Sequence, residues 1–314
     1  MKSSIRMILL TAFMSIILGI SGNDTAKAEQ VGQAEQVEPD CDRECLRDFM
    51  TIYLNALFAQ KPEDVPVSED MRYTENTVDI KLGEGLWKSN LEMTFYRQDI
   101  LDPEWGISGT HVVLKEGESK ILLLVRLRVV DKKITEIETQ VTRIEPGGMF
   151  SNPTELNTPR LAMNIVPPKR KLNSREDAIK IGLLYPEGLR LGSFIKADTP
   201  FSEDSYRIEN GYITAGEGCM NQPSCLNLKT QPIPTLFEIT SRVAAVDEEL
   251  GIVWIRMDFG KNSMGVGPEA DKQSLIVWEA FKVYDGKIHA VEAFMLAMPR
   301  ETPSGWDNPV RDLE

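Results

Sequence analysis

Tyr73 and Glu75 are the residues of this chain best spaced to move a proton. Residues 72–80 alternate in polarity and read as one β-strand, which places Tyr73, Glu75 and Thr77 on one face and Arg72, Thr74 and Asn76 on the other. A carboxylate in apolar surroundings gains proton affinity and can serve as a general base, while a phenol can hydrogen-bond to a developing enolate. His111, within GTHVVL, is one of only two histidines and is the candidate proton shuttle beside them. The plainer alternative has Tyr73 as core and Glu75 paired with a nearby arginine.

A second set of residues could contact a ligand. Glu209 repeats Glu75, but Arg207 replaces Tyr73, so that a carboxylate and a guanidinium two apart on one strand face read as an ion pair. In LIVWEAFKV, Glu279 shares a face with Leu275, Val277, Phe281 and Val283, and a lone acid on an apolar face needs a partner or a purpose. Glu292 shares a face with Ile288, Ala290, Phe294 and Leu296, and Glu138 is its counterpart. These acids form a cavity constellation or pair with a basic residue such as Arg256. Trp87 is a core anchor or a ring-stacking residue at a cavity mouth. Asn76 joins the ligand candidates or ends a bulge. No Ser-His-Asp elbow, phosphate-cradling loop or dinucleotide fingerprint is present, and the GVG at Gly265–Gly267 reads as a loop. The residues call for no metal and no cofactor.

The elements that must position these side chains occur twice. PVSEDMRYTENTVDIKLGEG at 66–85 returns as PFSEDSYRIENGYITAGEG at 200–218, offset by 134 residues and then 133. A period that long marks a duplicated domain. In the first copy, Leu46, Phe49, Met50, Tyr53, Leu54 and Leu57 recur at helical spacing, followed by strands at 72–80, 110–114, 121–130 and 134–143, with a tight hairpin at Asp131-Lys132-Lys133. The second copy opens at Ser174-Arg175-Glu176-Asp177 with a helix reaching about Lys196, which Pro186 and Gly188 are expected to break. Strands at 237–246, 252–259, 275–284 and 288–298 complete it, and its hairpin at Asp285 sits 154 residues after Asp131. The expected organisation is a signal peptide (1–28), a flexible leader (29–41), a first domain (42–145), a linker (146–172), a second domain (173–300) and a tail (301–314). Each half is α+β: a curved antiparallel sheet wrapped on N-terminal helices, a cone that commonly leaves a cavity between helix and sheet. The near-continuous apolar strands predict that the two domains pair through their sheets.

This layout resembles the nuclear-transport-factor-2-like superfamily, which includes ketosteroid isomerase-like and SnoaL-like proteins. The helix CLRDFMTIYLNALFAQ, the strand RYTENTVDI, the GEGLW turn and the closing hairpin carry the resemblance, and it is also similar to exported members with a TEN…GEGLW phrase. The fold it implies hosts isomerases, dehydratases, cyclases and pure binding modules.

Lys2 and Arg6, the apolar run Met7–Ile20 and the small-x-small Ala26-Lys27-Ala28 read as an export signal, with no membrane insertion after cleavage. Cleavage removes three basic residues and one acidic one, moving the formal charge from −13 to −15. So acidic a surface disfavours nucleic acid and anionic membranes as partners. The four cysteines fall in two close pairs, and an oxidising compartment favours disulfides 41–45 and 219–225. The sequence thus points to a periplasmic or extracellular protein that binds a small apolar molecule or a protein partner. The rival expectation is a cofactor-independent isomerase or lyase using a carboxylate base.

Overall fold

The computed structural model describes residues 40–144, 155–220, 223–236, 238–260 and 272–306. The expected signal peptide, nearly all of the leader, the Gly265–Gly267 loop, part of the linker and the end of the tail lie outside the described residues.

Helix α1 (Arg43–Ala59) starts where the Asp42 carboxylate accepts the Cys45 N–H at 2.9 Å, satisfying one free donor of the first turn. Its apolar stripe, Leu46 to Leu57, is buried, and Gln60 closes it in the left-handed region at φ 54°. β1 (Val67–Glu75) and β2 (Val78–Asp79) follow as a hairpin, so the expected single strand over 72–80 is corrected. Asn76 and Thr77 both have positive φ, 49° and 71°, the backbone of a two-residue hairpin turn. A threonine seldom occupies that region, which is why the alternation read straight through.

A short helical turn, Gly85–Lys88, leads into β3 (Leu91–Asp102), β4 (Ile107–Glu116), β5 (Ser119–Val130) and β6 (Lys133–Arg143). β3 is missing from the sequence reading because Met93 and Phe95 face solvent and its register slips between Met93 and Arg97, which blurs the two-residue period. The turn at Asp131-Lys132 forms as expected, with φ 50° and 55°.

The second half opens with a four-residue turn, α2 (Leu161–Asn164), and then α3 (Arg175–Arg190), capped by Ser174. Pro186 does not break α3 as expected. Ile179, Gly182, Tyr185 and Leu189 are buried along its length, and a Cβ at Gly182 would already meet Val253 and Ile255 at 3.3 Å. Packing against the sheet outweighs the one hydrogen bond a proline forfeits. β7 (Phe201–Glu209), β8 (Tyr212–Ala215), β9 (Ile239–Asp247), β10 (Ile252–Phe259), β11 (Gln273–Tyr284) and β12 (Lys287–Pro299) follow.

The strands form two six-stranded sheets of identical order, β2-β1-β6-β5-β4-β3 and β8-β7-β12-β11-β10-β9. Each is mixed, since β1 runs parallel to β6 and β7 parallel to β12; the other pairings are antiparallel. Each sheet curves over its own helix. Tyr53, Leu57, Leu123 and Ile137 fill the first interior, and Tyr185, Val253, Phe281 and Val291 belong to the second. Outer faces meet in a third cluster containing Ile100, Leu124, Tyr206, Trp254 and Trp278. Strands near the middle are therefore apolar on both faces. Disulfides join Cys41 to Cys45 and Cys219 to Cys225.

Candidate functional site

Strand register matches the two interiors residue for residue. Glu75 lies opposite Thr139, and Thr139 opposite Val125; in the second cone Glu209 lies opposite Ala293, and Ala293 opposite Glu279. Tyr53 and Tyr185 hold the same place on α1 and α3, eleven residues beyond each N-cap. The set Tyr53, Tyr73, Glu75 and Val125 thus corresponds to Tyr185, Arg207, Glu209 and Glu279. Tyr53, Tyr73 and Val125 of the first set are buried in a packed core; the second set borders a cavity.

In the first cone Trp87 is the plug. It is 2 % exposed and meets the Tyr53 ring edge-on, with centroids 5.5 Å apart. The Leu86 N–H beside it donates to Glu75 Oε2 at 2.9 Å. Burial raises the proton affinity of Glu75, while the Leu86 N–H, Arg143 and Tyr73 each pull it back. Tyr73 is buried in the same core, and burial with the Glu75 charge pushes its phenol up to about 12. The Asn76 side chain clamps the backbone of Val141, accepting its N–H at 2.8 Å and donating to its carbonyl at 3.2 Å.

In the second cone the GEG turn is followed by Cys219-Met220 where the first has Leu86-Trp87. The Cys219 N–H turns to Gly216 O at 3.1 Å, and Met220 is 94 % exposed. Without a plug, a cavity of about 220 Å³ opens, lined by Tyr185, Leu189, Arg207, Glu209, Pro232, Ile233, Pro234, Leu236, Phe259, Leu275, Glu279 and Met295. It is half open to solvent, with Tyr185, Arg207, Glu209 and Glu279 as its polar members and aliphatic, proline and aromatic side chains as the rest.

One fully buried side-chain atom of that wall lacks a hydrogen-bond partner among the described residues. Arg207 donates through Nε to Thr214 Oγ1 at 2.9 Å, through Nη1 to the Tyr185 hydroxyl at 3.1 Å and through Nη2 to Gln231 Oε1 at 3.0 Å. It also pairs with Glu209 at 3.4 Å. Burial works against its charge, yet Glu209 and Tyr185 together hold the guanidinium above its ordinary affinity. Glu279 is 1 % exposed, and its Oε2 has no hydrogen-bond partner among the described residues. Burial, reinforced by the Glu209 charge and only partly offset by Arg207, lifts its carboxyl well above the usual range.

Three expected site residues lie elsewhere. His111 faces the other sheet, away from Tyr73 and Glu75: its Nε2 accepts the Trp254 indole N–H at 2.9 Å and its ring stacks on Phe294. Burial drops it to about 3, so it stands neutral, and its grouping with that pair is corrected. Glu138 is also between the sheets, accepting from Arg242 at 2.6 and 2.8 Å, with Arg126 and Arg256 within 3.9 Å. Glu292 accepts from the hydroxyls of Tyr206 at 2.8 Å and Tyr96 at 3.0 Å, and burial raises it despite them. The expected shared face of Glu292 and Ile288 is broken by a bulge: the register shifts between Val283 and Lys282, so Ile288 joins the cone interior and Ala290 the inter-sheet cluster. Tyr185, Tyr96 and Tyr206 are absent from the sequence reading. Tyr185 leaves a signal, falling 132 residues after Tyr53 just as Arg175 follows Arg43.

Among the described residues no three His, Cys, Asp or Glu side chains gather to hold a metal, and no helix is long and apolar enough to cross a membrane. Residues 171–295 match the model of a domain of unknown function, DUF8021. No curated protein matches the chain. Solved structures with a similar fold include a Kribbella flavida protein named for ketosteroid isomerase, 20 % identical over 37 % of this chain and 96 % of its own, TM-score 0.30. They also include an NTF2-like protein of unknown function from Cytophaga hutchinsonii, 11 % identical over 31 % and 89 %, TM-score 0.26. A third is an LEH-like epoxide hydrolase of M. tuberculosis, 15 % identical over 31 % and 82 %, TM-score 0.24. The chain's own architecture is two six-stranded mixed sheets in tandem with the same strand order.

Proposed function

We propose that the chain is an exported binding protein whose second cone holds a small, mostly apolar molecule. The supporting observation is the Glu279 carboxyl oxygen, buried at the cavity wall with no partner of its own. A buried polar atom left open costs free energy that a ligand hydrogen bond recovers. The first cone, filled by Trp87, acts as a scaffold and partner for the second. Two disulfides support an oxidising compartment, periplasmic or extracellular.

A second reading, a cofactor-independent isomerase or lyase, is favoured by one observation. The carboxyl of Glu279 holds its proton beside a cavity, as a general acid must. Its base would then come from Glu209 rather than Glu75, whose carboxylate is held by the Leu86 N–H.

Methyl-labelled protein screened against a fragment library by NMR tests the binding reading. Fragments are expected to shift the methyls of Leu189, Ile233, Leu236 and Leu275 while those of Leu123 and Leu127 in the first cone stay put. A library that moves none of the cavity methyls would overturn it.

A further inference from the structure

We infer that the segment joining the two halves docks on an anionic lipid surface through Leu161, Ile165 and Val166 together with Lys169 and Arg170. This is independent of the second-cone cavity.

Charge marks the segment first. Residues 156–175 contain five basic residues and no acidic one, in a chain of formal charge −13. Three of the five are paired: Arg160 with Glu155, Lys171 with Asp285, and Arg175 with Asp102, Glu104 and Glu248. Lys169 and Arg170, in a single turn after Pro167-Pro168, are exposed and make no ion pair among the described residues. The strip is thus a local exception to the acidity that disfavours anionic membranes for the chain as a whole.

Apolar side chains stand beside those two cations. Leu161 is 74 % exposed, Ile165 50 % and Val166 55 %, all within positions 161–166. Single exposed apolar residues are ordinary; three in one short stretch, next to unpaired cations, form a patch. The backbone beneath them is pinned. Met163 is fully buried in the inter-sheet cluster, and Pro167 is buried as well. Lys282, itself buried, donates through Nζ to the carbonyls of Met163 at 3.3 Å, Ile165 at 2.5 Å and Leu250 at 2.5 Å. Glu248 and Glu249, just before Leu250, pair with Arg175 and Arg43. The strip is therefore presented ready-made, and docking orders little new backbone.

Size and charge choose the partner. Three apolar side chains fall far short of the roughly 20–30 residues a side that a stable protein interface uses. A bilayer asks less. Apolar side chains enter the boundary between headgroups and acyl chains, while lysine and arginine reach up to the headgroup phosphates. Each basic residue held at an anionic surface adds attraction. The acidic remainder of the chain counts for less, because charges beyond about 8 Å are largely screened at physiological ionic strength.

Cosedimentation with vesicles tests this on protein beginning at Glu29, which lacks the apolar run Met7–Ile20 but none of the described residues. Vesicles of phosphatidylcholine with phosphatidylglycerol are expected to bind it at least about tenfold tighter than phosphatidylcholine alone, and added salt should weaken the binding. Lys169→Ser with Arg170→Ser is expected to lower affinity about tenfold or more, and so is Leu161→Ser with Ile165→Ser. Lys132→Ser with Lys133→Ser, the same change of charge on the exposed hairpin of the first half, should leave binding unchanged. Failure to bind the anionic vesicles, or equal binding to both kinds, overturns the inference. So does an equal loss from the hairpin pair and the linker pair. Binding to polyglutamate in preference to the vesicles marks an acidic protein partner and overturns the lipid assignment. Circular dichroism of each variant separates lost binding from lost fold.

Discussion

Arg43, the first residue of α1, reaches across to the second sheet and grips Asp247 through two hydrogen bonds of 2.6 and 2.8 Å. Arg175, the first residue of α3, grips Asp102 of the first sheet in the same way, at 2.6 and 3.1 Å. Each aspartate also ties the opposing backbone, Asp247 accepting the Leu101 N–H at 3.0 Å and Asp102 the Val246 N–H at 2.8 Å. The contact is self-complementary, as between two copies related by a two-fold axis, and here both copies lie in one chain.

Removing either end of such a pair has unequal cost. Asp247 is fully buried, whereas Arg43 keeps some exposure and has Glu249 at 3.4 Å as a second partner. Arg43→Met strands a buried carboxylate and is expected to cost about 3–5 kcal/mol; Asp247→Asn is expected to cost less. Urea denaturation of the two variants at pH 7 checks the order, and a larger loss for Asp247→Asn would contradict it.

Trp87 is expected to be the residue that closes the first cone. Trp87→Ala should cost about 3–5 kcal/mol and open a cavity against Tyr53 and Tyr73. The same substitution at the matching Met220, which faces solvent, should change stability by less than about 0.5 kcal/mol. Thermal melts of the pair measure the difference.

How far these features could be read from the chain depends on what carried them. The duplicated phrase led to two α+β domains because the pattern of strand and turn was copied with few changes, and the Arg207–Glu209 pair followed from a two-residue spacing alone. The face of Glu292 was lost to a bulge, and bulges leave no mark in a period of two. Which cone is open turned on one position, Trp87 against Met220, and on where the following chain goes. A tryptophan reads equally as plug or as stacking surface until its neighbours are known. The Arg43–Asp247 and Arg175–Asp102 pairs join residues about 204 and 73 apart, beyond any local signal. Their trace was present all the same, in DPEWG at 102–106 and DEELG at 247–251.

Glu279 gives a pH test. Its proton affinity is raised in the folded state, so the native protein holds a proton that the unfolded chain releases above about pH 4.3. Stability contributed at this position therefore falls as pH rises through that value and towards the folded pKa. Glu279→Gln removes the effect. The variant should gain stability relative to wild type between pH 4 and pH 8, seen as a rise in its denaturation midpoint minus that of wild type; a constant difference would contradict the raised affinity.

Export and oxidation are checked together. Protein recovered from the secreted fraction is expected to begin at Glu29, and reduction should add the mass of four hydrogens. Because each disulfide closes a short loop, Cys219→Ser with Cys225→Ser is expected to cost only about 2 kcal/mol. An unprocessed N-terminus, or four free thiols in native material, would contradict the assignment.

The contrast between a first cone packed by Trp87 and a second with a cavity has a direct test in crystals held under xenon pressure, since xenon enters apolar cavities without regard to ligand chemistry. Xenon density is expected among Leu189, Leu236, Phe259 and Met295, with none behind Trp87. Xenon behind Trp87, or its absence from the second cone, would contradict the account.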